Sequence, residues 1–317
     1  MAGLIADIGG TNVRFALVGD DGSISRVQPL RCASFPSLID ACEAYLAGIA
    51  AGSRPRHGAL AVASPITGDE VRMTNHPWSF SIEETRRQLS LETLDVINDF
   101  IAVALGVPHL SGGDVQRVGG GEADPHAAIG ILGAGTGLGM SGLVRIPGGG
   151  RIPLSSEGGH VTLPAFDDRE EVVLAALRRR FGHVSAERVL SGPGLVNLYH
   201  AVAEVRALPG DPAITPPECT GRALDGSCPI SAETLDLFCA MLGTVAANLA
   251  LTIDARGGIF IGGGIVPQMA ESFSQSSFRS RFESKGRFGP YLAAIPTSII
   301  VRPLPAFAGL AALVSGS

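Results

Sequence analysis

The sequence has few charged residues and no long basic segment. Asp, Glu, Lys and Arg make up 17% of its 317 residues, and the formal net charge is −6. The longest basic run is Arg178–Arg180, which lies on a predicted helix and indicates a solvated helix face. Because nucleic-acid backbones are held by clustered Lys and Arg, we expect no nucleic-acid partner.

Cysteines are also few, odd in number and widely spaced. They are Cys32, Cys42, Cys219, Cys228 and Cys239. No CxxC pair and no cysteine–histidine spacing typical of a structural zinc site occurs. We therefore expect reduced thiols in a reducing compartment, and no structural zinc.

We expect no secretory signal and no membrane-spanning segment. Met1–Gly3 has no basic residue and leads directly into Leu4–Asp7. The uncharged stretch Ala127–Val144 contains six glycines, which favour turns over a lipid-facing helix. The second uncharged stretch, Leu237–Ile253, contains Asn248 and has the length of a buried helix. We predict a soluble protein with no membrane partner.

Two common nucleotide-binding motifs are missing. The sequence contains no GxxxxGK[ST], which excludes a P-loop. The glycines of Gly133–Gly139 are closely spaced, but a Rossmann fingerprint requires a helix directly after them. Leu138–Val144 has the composition of a strand, so that motif is excluded too.

The sequence instead repeats a strand, a Gly/Thr turn and a second strand. The first copy is Leu4–Ile8, Gly9–Asn12 and Val13–Val18, and the second begins at the strand Ala128–Leu132 and returns through Leu138–Val144. A third glycine turn, Gly262–Gly264, follows another predicted strand. With 45% hydrophobic residues the chain can fill two cores. The pattern predicts an α/β fold with two related lobes and a cleft between them.

The glycine turns could bind an anion, because a backbone without Cβ atoms lets N–H groups approach a phosphate. Asp7 lies beside the first turn, where its carboxylate could hold Mg²⁺ through water. A single Gly-Gly hairpin is more often structural, whereas three such turns favour a role in binding.

Asp99 follows the predicted strand Leu94–Ile97 and precedes a predicted helix. An acid at the carboxyl end of a strand faces the crevice where α/β proteins bind ligands. It could serve there as a general base that accepts a hydroxyl proton during phosphoryl transfer. Alternatively Asp99 only caps the helix, and this segment alone leaves both interpretations open.

Two further segments carry polar side chains that could share a ligand. Glu157 and His160 flank two glycines, so a turn could direct both side chains at one small polar molecule. Glu187 lies at the start of Ser185–Leu190, which we predict to be helical. The ordinary alternatives are that Glu157 is a surface residue, that His160 only makes hydrogen bonds within the protein, and that Glu187 is an acid at a helix start.

Six segments together resemble the bacterial glucokinases of the hexokinase type. They are Asp7–Asn12, Met73–Trp78, Ile97–Phe100, Gly133–Gly139, Glu157–His160 and Gly182–Tyr199. Matching segments run in order from residue 4 to about residue 310. The resemblance implies the two-lobed actin-like, ribonuclease-H-like ATPase fold. We expect a small α/β domain at 1–109 plus 299–317 and a large one at 110–298.

The resemblance also implies roles for individual residues in transferring the γ-phosphoryl group of ATP to the 6-hydroxyl of glucose. Asp99 would be the catalytic base. The residues that would bind glucose are Asn98, Asp99, Glu157, His160 and Glu187. Those that would hold ATP are Ala6, Asp7, Ile8, Gly9, Gly10, Thr11, Gly133, Gly135, Thr136, Gly137, Gly262, Gly263 and Gly264. The family further implies Mg²⁺ as cofactor, a cytoplasmic location and a homodimer.

The chain departs from the family pattern at Ala6 and Ser156, where glycine is usual. Both changes keep the residue small. A kinase for another hexose or for an N-acetylhexosamine remains an alternative, as does a non-catalytic sugar- or ATP-binding regulator. A repressor would need a DNA-binding helix-turn-helix before the first phosphate turn, and we expect none because that turn begins at Asp7.

Overall fold

The computed structural model describes residues 3–50, 53–146 and 148–316. They form two compact units. Unit 1 comprises the described residues up to Ser111 together with those from Arg302 onward, and unit 2 runs from Gly112 to Val301. Each unit combines a sheet with helices, which confirms the predicted α/β class.

The strands and helices are numbered in chain order. The strands are β1 (Gly3–Ile8), β2 (Asn12–Val18), β3 (Ile24–Arg31), β4 (His57–Val62), β5 (Glu70–Arg72), β6 (Ser79–Ser81), β7 (Thr93–Asn98), β8 (Val115–Gly119), β9 (Ile129–Ala134), β10 (Leu138–Arg145), β11 (Arg151–Leu154), β12 (Ile259–Gly263) and β13 (Thr297–Ile300). The α-helices are α1 (Leu38–Leu46), α2 (Ile82–Gln88), α3 (Asp99–Gly106), α4 (Asp168–Phe181), α5 (Gly192–Arg206), α6 (Pro216–Leu224), α7 (Pro229–Ile253), α8 (Ala270–Ser274), α9 (Phe278–Glu283), α10 (Gly289–Ala293) and α11 (Ala306–Ser315).

Unit 1 is built on a five-stranded sheet in the order β3-β2-β1-β4-β7. The predicted strand, turn and strand at 4–18 form an antiparallel hairpin of β1 and β2, while β1, β4 and β7 run parallel. Side chains of β1 alternate between the two faces, as the period of a strand requires. Leu4 and Ile8 pack in the core that includes α1, whereas Ile5 packs in the core that includes α3 and α11. Because both faces are covered, β1 is apolar except for Asp7 near its carboxyl end.

Unit 2 repeats this strand arrangement. Its six-stranded sheet has the order β11-β10-β9-β12-β13-β8. The hairpin of β9 and β10 is antiparallel, and β9, β12 and β13 run parallel, as β1, β4 and β7 do in unit 1. The recurrence predicted from the two Gly/Thr turns is therefore confirmed as a shared sheet topology.

The long helix α7 is a core helix of unit 2. Its length and apolar composition would suffice to cross a membrane, but 72% of its most apolar stretch is buried inside the protein. Buried residues of α7 such as Phe238, Met241 and Leu242 belong to the main core of the unit. The prediction that Leu237–Ile253 is a buried helix is confirmed.

Candidate active site

The carboxyl ends of three parallel strands meet at one edge of the unit 1 sheet. Ile8 at the end of β1 pairs with Val62 of β4, and Val62 pairs with Asn98 of β7. The turn Gly9–Thr11 thus starts at the edge where β7 ends and α3 begins. Ligands of open α/β sheets bind at such an edge, so this is the candidate site of unit 1.

Only part of the predicted phosphate-binding segment of unit 1 reaches the surface. Ala6 and Ile8 are fully buried strand residues. Gly9 and Gly10 are partly exposed and Thr11 is exposed. The Gly9 N–H donates to the carbonyl of Asn12 at 3.0 Å and closes the turn. Any contact with an anion would therefore come from the tip of the turn.

Asn98, rather than Asp99, caps helix α3. The Asn98 Oδ1 accepts the N–H of Phe100 at 2.9 Å and that of Ile101 at 3.4 Å. Asp99 is the first residue of the helix, and its Oδ1 shares the N–H of Phe100 at 2.9 Å. The N-cap position therefore belongs to Asn98, and Asp99 shares only the N–H of Phe100.

The carboxyl of Asp99 is held in an environment that disfavours its charge. Burial raises the pKa of Asp99 to about 6, the carboxylate of Asp7 adds to this rise, and the Phe100 N–H opposes it. The pKa of Asp7 is itself raised by burial, and the guanidinium of Arg14 acts against that rise. A carboxyl with a pKa near neutrality can accept a proton at physiological pH and return it.

Arg14 holds Asp7 from the facing strand. The two residues are direct cross-strand partners in the β1–β2 hairpin. The Arg14 Nη1 lies 3.5 Å from the Asp7 Oδ2, and the Asp7 side chain is 23% exposed. Arg14 thus holds the Asp7 carboxylate on one side. The carboxylate remains partly exposed near the carboxyl end of β1, where its oxygens could bind a ligand.

The structure adds a polar segment that the predicted site residues do not include. Gly10 packs so closely against Asn75 that a Cβ would lie 2.8 Å from the Asn75 carbonyl. The adjacent Thr74 donates its N–H to the buried Ser64 Oγ at 2.8 Å. Met73–Trp78 matched the family in sequence, but its contact with Gly10 depends on tertiary packing that no local pattern reveals.

In unit 2, the glycine turns after β9 and β12 lie side by side. Gly133 pairs with Gly262 in the parallel ladder, and a Cβ on Gly133 would lie 2.5 Å from the Gly262 carbonyl carbon. The N–H of Gly264 donates to the carbonyl of Ala134 at 3.0 Å. Gly263 has a φ of +86°, which favours glycine. The structure therefore brings the predicted residues Gly133 and Gly135 next to Gly262, Gly263 and Gly264, and Thr136 and Gly137 continue the same turn towards β10.

Glu157, His160 and Glu187 form one cluster in unit 2. The His160 Nε2 lies 3.8 Å from the Glu157 Oε2, and its Nδ1 lies 3.8 Å from the Glu187 Oε1. The side chains are 58%, 60% and 33% exposed in the order Glu157, His160 and Glu187. Two carboxylates and an imidazole offer several directional acceptors and donors, which suits a ligand with many hydroxyls.

Glu187 reaches this cluster from a turn and not from a helix. The predicted helix Ser185–Leu190 is wrong, and α5 starts only at Gly192. Ser191 is the N-cap, with its Oγ accepting the Gly194 N–H at 3.0 Å, and Pro193 lies in the first turn. Because Ser and Pro favour a helix start, these residues, and not Glu187, mark the boundary.

Asp7 is a candidate partner for a metal ion in the site of unit 1. Among residues 3–50, 53–146 and 148–316 no group of three or more His, Cys, Asp or Glu side chains is arranged to hold a metal. Mg²⁺, however, keeps several waters and takes one or two carboxylates together with substrate phosphates. The open carboxylate of Asp7 fits that requirement.

Comparisons with known proteins give a consistent result. The sequence profile of the family described as Glucokinase matches residues 4–316. The chain is 56% identical over 314 residues to the glucokinase of Paramagnetospirillum magneticum, covering 98% of this chain and 97% of that protein. It is 50% identical over 311 residues to the glucokinase of Aromatoleum aromaticum, covering 97% and 93%.

Solved structures agree with the sequence comparisons. A glucokinase from an Antarctic psychrotroph superposes with a TM-score of 0.89 at 37% identity, covering 99% of both chains. A ROK family glucokinase from Streptomyces griseus, solved with glucose and AMPPNP, superposes with a TM-score of 0.65 at 19% identity and covers 99% of this chain and 100% of its own. The second likeness shows the shared fold.

Proposed function

Since this chain belongs to the glucokinase family, we propose that it transfers the γ-phosphoryl group of ATP to the 6-hydroxyl of D-glucose, giving glucose 6-phosphate and ADP. The observation that carries this proposal is the partly buried carboxyl of Asp99, with a pKa of about 6, where β7 meets α3.

Asp99 is the general base of the proposed reaction. Its carboxylate accepts the proton of the 6-hydroxyl as the oxygen attacks the γ-phosphorus and the bond to the leaving ADP oxygen breaks. Protonation of Asp99 relieves the repulsion from the Asp7 carboxylate, which adds to the effect of burial on its affinity for the proton. The N–H of Phe100 fixes the carboxyl in place.

Glucose is bound through its hydroxyls by Asn98, Asp99, Glu157, His160 and Glu187. The cluster in unit 2 combines carboxylate acceptors with an imidazole, so each hydroxyl finds a directional partner. Carboxylates accept strong hydrogen bonds from neutral hydroxyls. A sugar that lacks one of these hydroxyls leaves a polar group unpaired, which is the source of discrimination.

ATP is held by the glycine turns of the two units. Gly9, Gly10 and Thr11 in one unit and Gly133–Gly137 in the other present backbone N–H groups and threonine hydroxyls to the phosphates. Gly262–Gly264, adjacent to the second turn, contacts the adenosine. Closure of the two lobes of an actin-like fold over a cleft would exclude water, which competes with glucose as the acceptor.

Asp7 would hold Mg²⁺ through water. Mg²⁺ held by Asp7 would supply positive charge that offsets the charge of the ATP phosphates. The contribution of the chain is a carboxylate oriented by Arg14 at 3.5 Å. We further propose that the protein acts in glycolysis in the cytoplasm as a homodimer. These proposals are supported by the family resemblance, and light scattering of the purified protein tests the dimer.

A sugar panel tests the proposed activity. The purified chain is incubated with ATP, Mg²⁺ and one of glucose, mannose, fructose or N-acetylmannosamine, and ADP release is followed. We expect kcat/KM to be highest for glucose. A higher value for another sugar would replace glucose as the substrate, and no sugar-dependent ADP release would reject the kinase assignment.

A further inference from the structure

The side chain of Glu187 is bonded to the glycine turn of unit 2. Its Oε2 accepts the N–H of Leu138 at 2.9 Å. Leu138 is the first residue of β10 and directly follows the turn Gly135–Gly137. A carboxylate assigned to glucose is therefore also the hydrogen-bond partner of the segment assigned to the ATP phosphates.

Steric contact reinforces this bond. A Cβ on Gly137 would collide with the Glu187 Oε2, so the turn and the carboxylate touch without a gap. The φ of Gly137 is not positive, so its backbone would accept another residue. A Cβ at this position would instead have to displace the end of the Glu187 side chain.

A second attachment holds the other end of the same segment. The N–H of Gly192 donates to the carbonyl of Gly135 at 2.8 Å. Between the two attachments, the Ser191 Oγ donates to the backbone carbonyl of Glu187 at 2.8 Å. The segment Glu187–Gly192 is thus joined to the turn at both ends and braced internally.

The two oxygens of Glu187 face different partners. Oε2 is engaged by Leu138, whereas Oε1 lies 3.8 Å from the His160 Nδ1 in the sugar cluster. Glu157 is a natural contrast. Among the described residues its side chain has an ion-pair contact with His160 and no hydrogen bond to the turn.

We propose that Glu187 is a positioning residue for the phosphate-binding turn as well as a glucose ligand, and that it couples the two binding sites energetically. The inference depends on the proposed roles of Gly133–Gly137 and of the sugar cluster. When glucose orders the Glu187 carboxylate, it also restrains the turn that binds ATP. ATP in turn raises the affinity for glucose by the same factor, because coupling between two ligands is reciprocal.

Nucleotide binding without sugar is the first test. The affinity for AMPPNP with Mg²⁺ is measured by calorimetry in the absence of glucose for wild type, Glu187→Ala, Glu187→Gln and Glu157→Gln. A repeat at saturating glucose gives the coupling as the ratio of the two affinities, which should exceed one in the wild type and approach one in Glu187→Ala. The loss of one charge-assisted hydrogen bond predicts AMPPNP binding about tenfold weaker in Glu187→Ala. Glu187→Gln retains an oxygen acceptor for Leu138 and should restore most of the AMPPNP affinity while its glucose affinity stays reduced. Glu157→Gln should weaken glucose binding only.

Glucose binding without nucleotide is the reciprocal test. In Gly137→Ala the new methyl group displaces the Glu187 carboxylate, so glucose should bind about tenfold more weakly although the changed residue belongs to the nucleotide turn. Gly221→Ala is the matched control, because a Cβ at Gly221 in α6 meets no atom within 4 Å. Its glucose affinity should equal that of the wild type.

An unchanged AMPPNP affinity in Glu187→Ala, together with an unchanged glucose affinity in Gly137→Ala, would overturn the coupling. Thermal unfolding of each variant identifies any loss of ligand affinity that comes from misfolding. If Glu187→Ala fails to fold, Glu187→Gln provides the result. Failure of the proposed function itself would look different, since the wild-type chain would then release no sugar-dependent ADP, whatever the affinities of its variants.

Discussion

The Gly/Thr turn of β1 and β2 and that of β9 and β10 occupy the same place in the same sheet topology, but their surroundings differ. The first lies at the sheet edge that carries Asp7 and Asp99, two acids whose pKa values are raised by burial. The second is bonded to Glu187, in a cluster with Glu157 and His160 that is one third to more than half exposed.

This difference in burial favours different chemistry in the two units. A desolvated carboxyl beside a second carboxylate holds a proton more tightly, which a base needs and a simple ligand does not. Solvated acceptors instead exchange bonds with water for bonds with a ligand at small cost. We therefore expect proton transfer to depend on unit 1 and sugar recognition to depend mainly on unit 2.

Among the changes that test this difference between the two units, Asp99→Ala should have the largest effect. Without the general base, kcat should fall by about 10²- to 10⁴-fold, while glucose affinity changes only a few-fold. Steady-state kinetics and calorimetry with glucose measure the two effects. Asp95→Asn on the exposed side of the same strand is the control, and near-normal turnover in Asp99→Ala would remove Asp99 from the role.

Asp99→Asn should stabilise the protein at high pH, because the ionised carboxyl is unfavourable in the folded state. With its pKa raised from 3.8 to about 6, ionisation costs about 3 kcal/mol more in the folded than in the unfolded chain. This destabilisation is full above pH 6 and is lost as the pH falls towards 4. Urea unfolding should show a gain of about 3 kcal/mol at pH 8 and roughly half of that at pH 5. An equal gain at both pH values would contradict the ionisation argument.

Glu157→Gln should weaken sugar binding rather than proton transfer. Loss of a charged acceptor predicts a glucose KM about 10- to 100-fold higher with a much smaller change in kcat. Glu171→Gln, an exposed acid in a surface ion pair of the same unit, should leave both constants unchanged. If Glu157→Gln lowered kcat as strongly as Asp99→Ala does, the division of roles between the units would be wrong.

Gly133→Ala should disturb the turn of unit 2 through packing alone. Its methyl group would lie 2.5 Å from the Gly262 carbonyl carbon, whereas that of Gly135→Ala would lie 3.7 Å from its nearest neighbour. Overpacking predicts a loss of about 1–3 kcal/mol in the free energy of unfolding for Gly133→Ala. A smaller loss in Gly133→Ala than in Gly135→Ala would refute the packing argument.

Local patterns predicted the parts of this molecule that depend on local rules. Both hairpins, the strands that precede Asp99 and Gly262, and the buried helix within α7 followed from apolar runs and glycine turns. The start of α5 was missed because the Ser185–Leu190 segment has helical composition, while the Ser191 cap and Pro193 place the helix start later.

Contacts between distant segments could not be predicted in this way. No local pattern indicates that Gly10 lies against Asn75, or that the Glu187 carboxylate fills the space beside Gly137. Such contacts depend on how whole elements pack against each other. For the same reason the position of Asp99 after a strand indicated a possible general base, but its raised pKa depends on burial and on Asp7, which only the folded structure shows.

The pH dependence of kcat/KM for glucose tests the assignment of Asp99 most directly, because this profile reports ionisations of the free enzyme. A base with a pKa of about 6 is active when deprotonated, so kcat/KM should be constant above about pH 7 and fall about tenfold per unit below about pH 6. Asp7→Asn, which removes the neighbouring charge, should shift this decline to lower pH. A wild-type profile that stays flat down to about pH 4.5 would contradict the account.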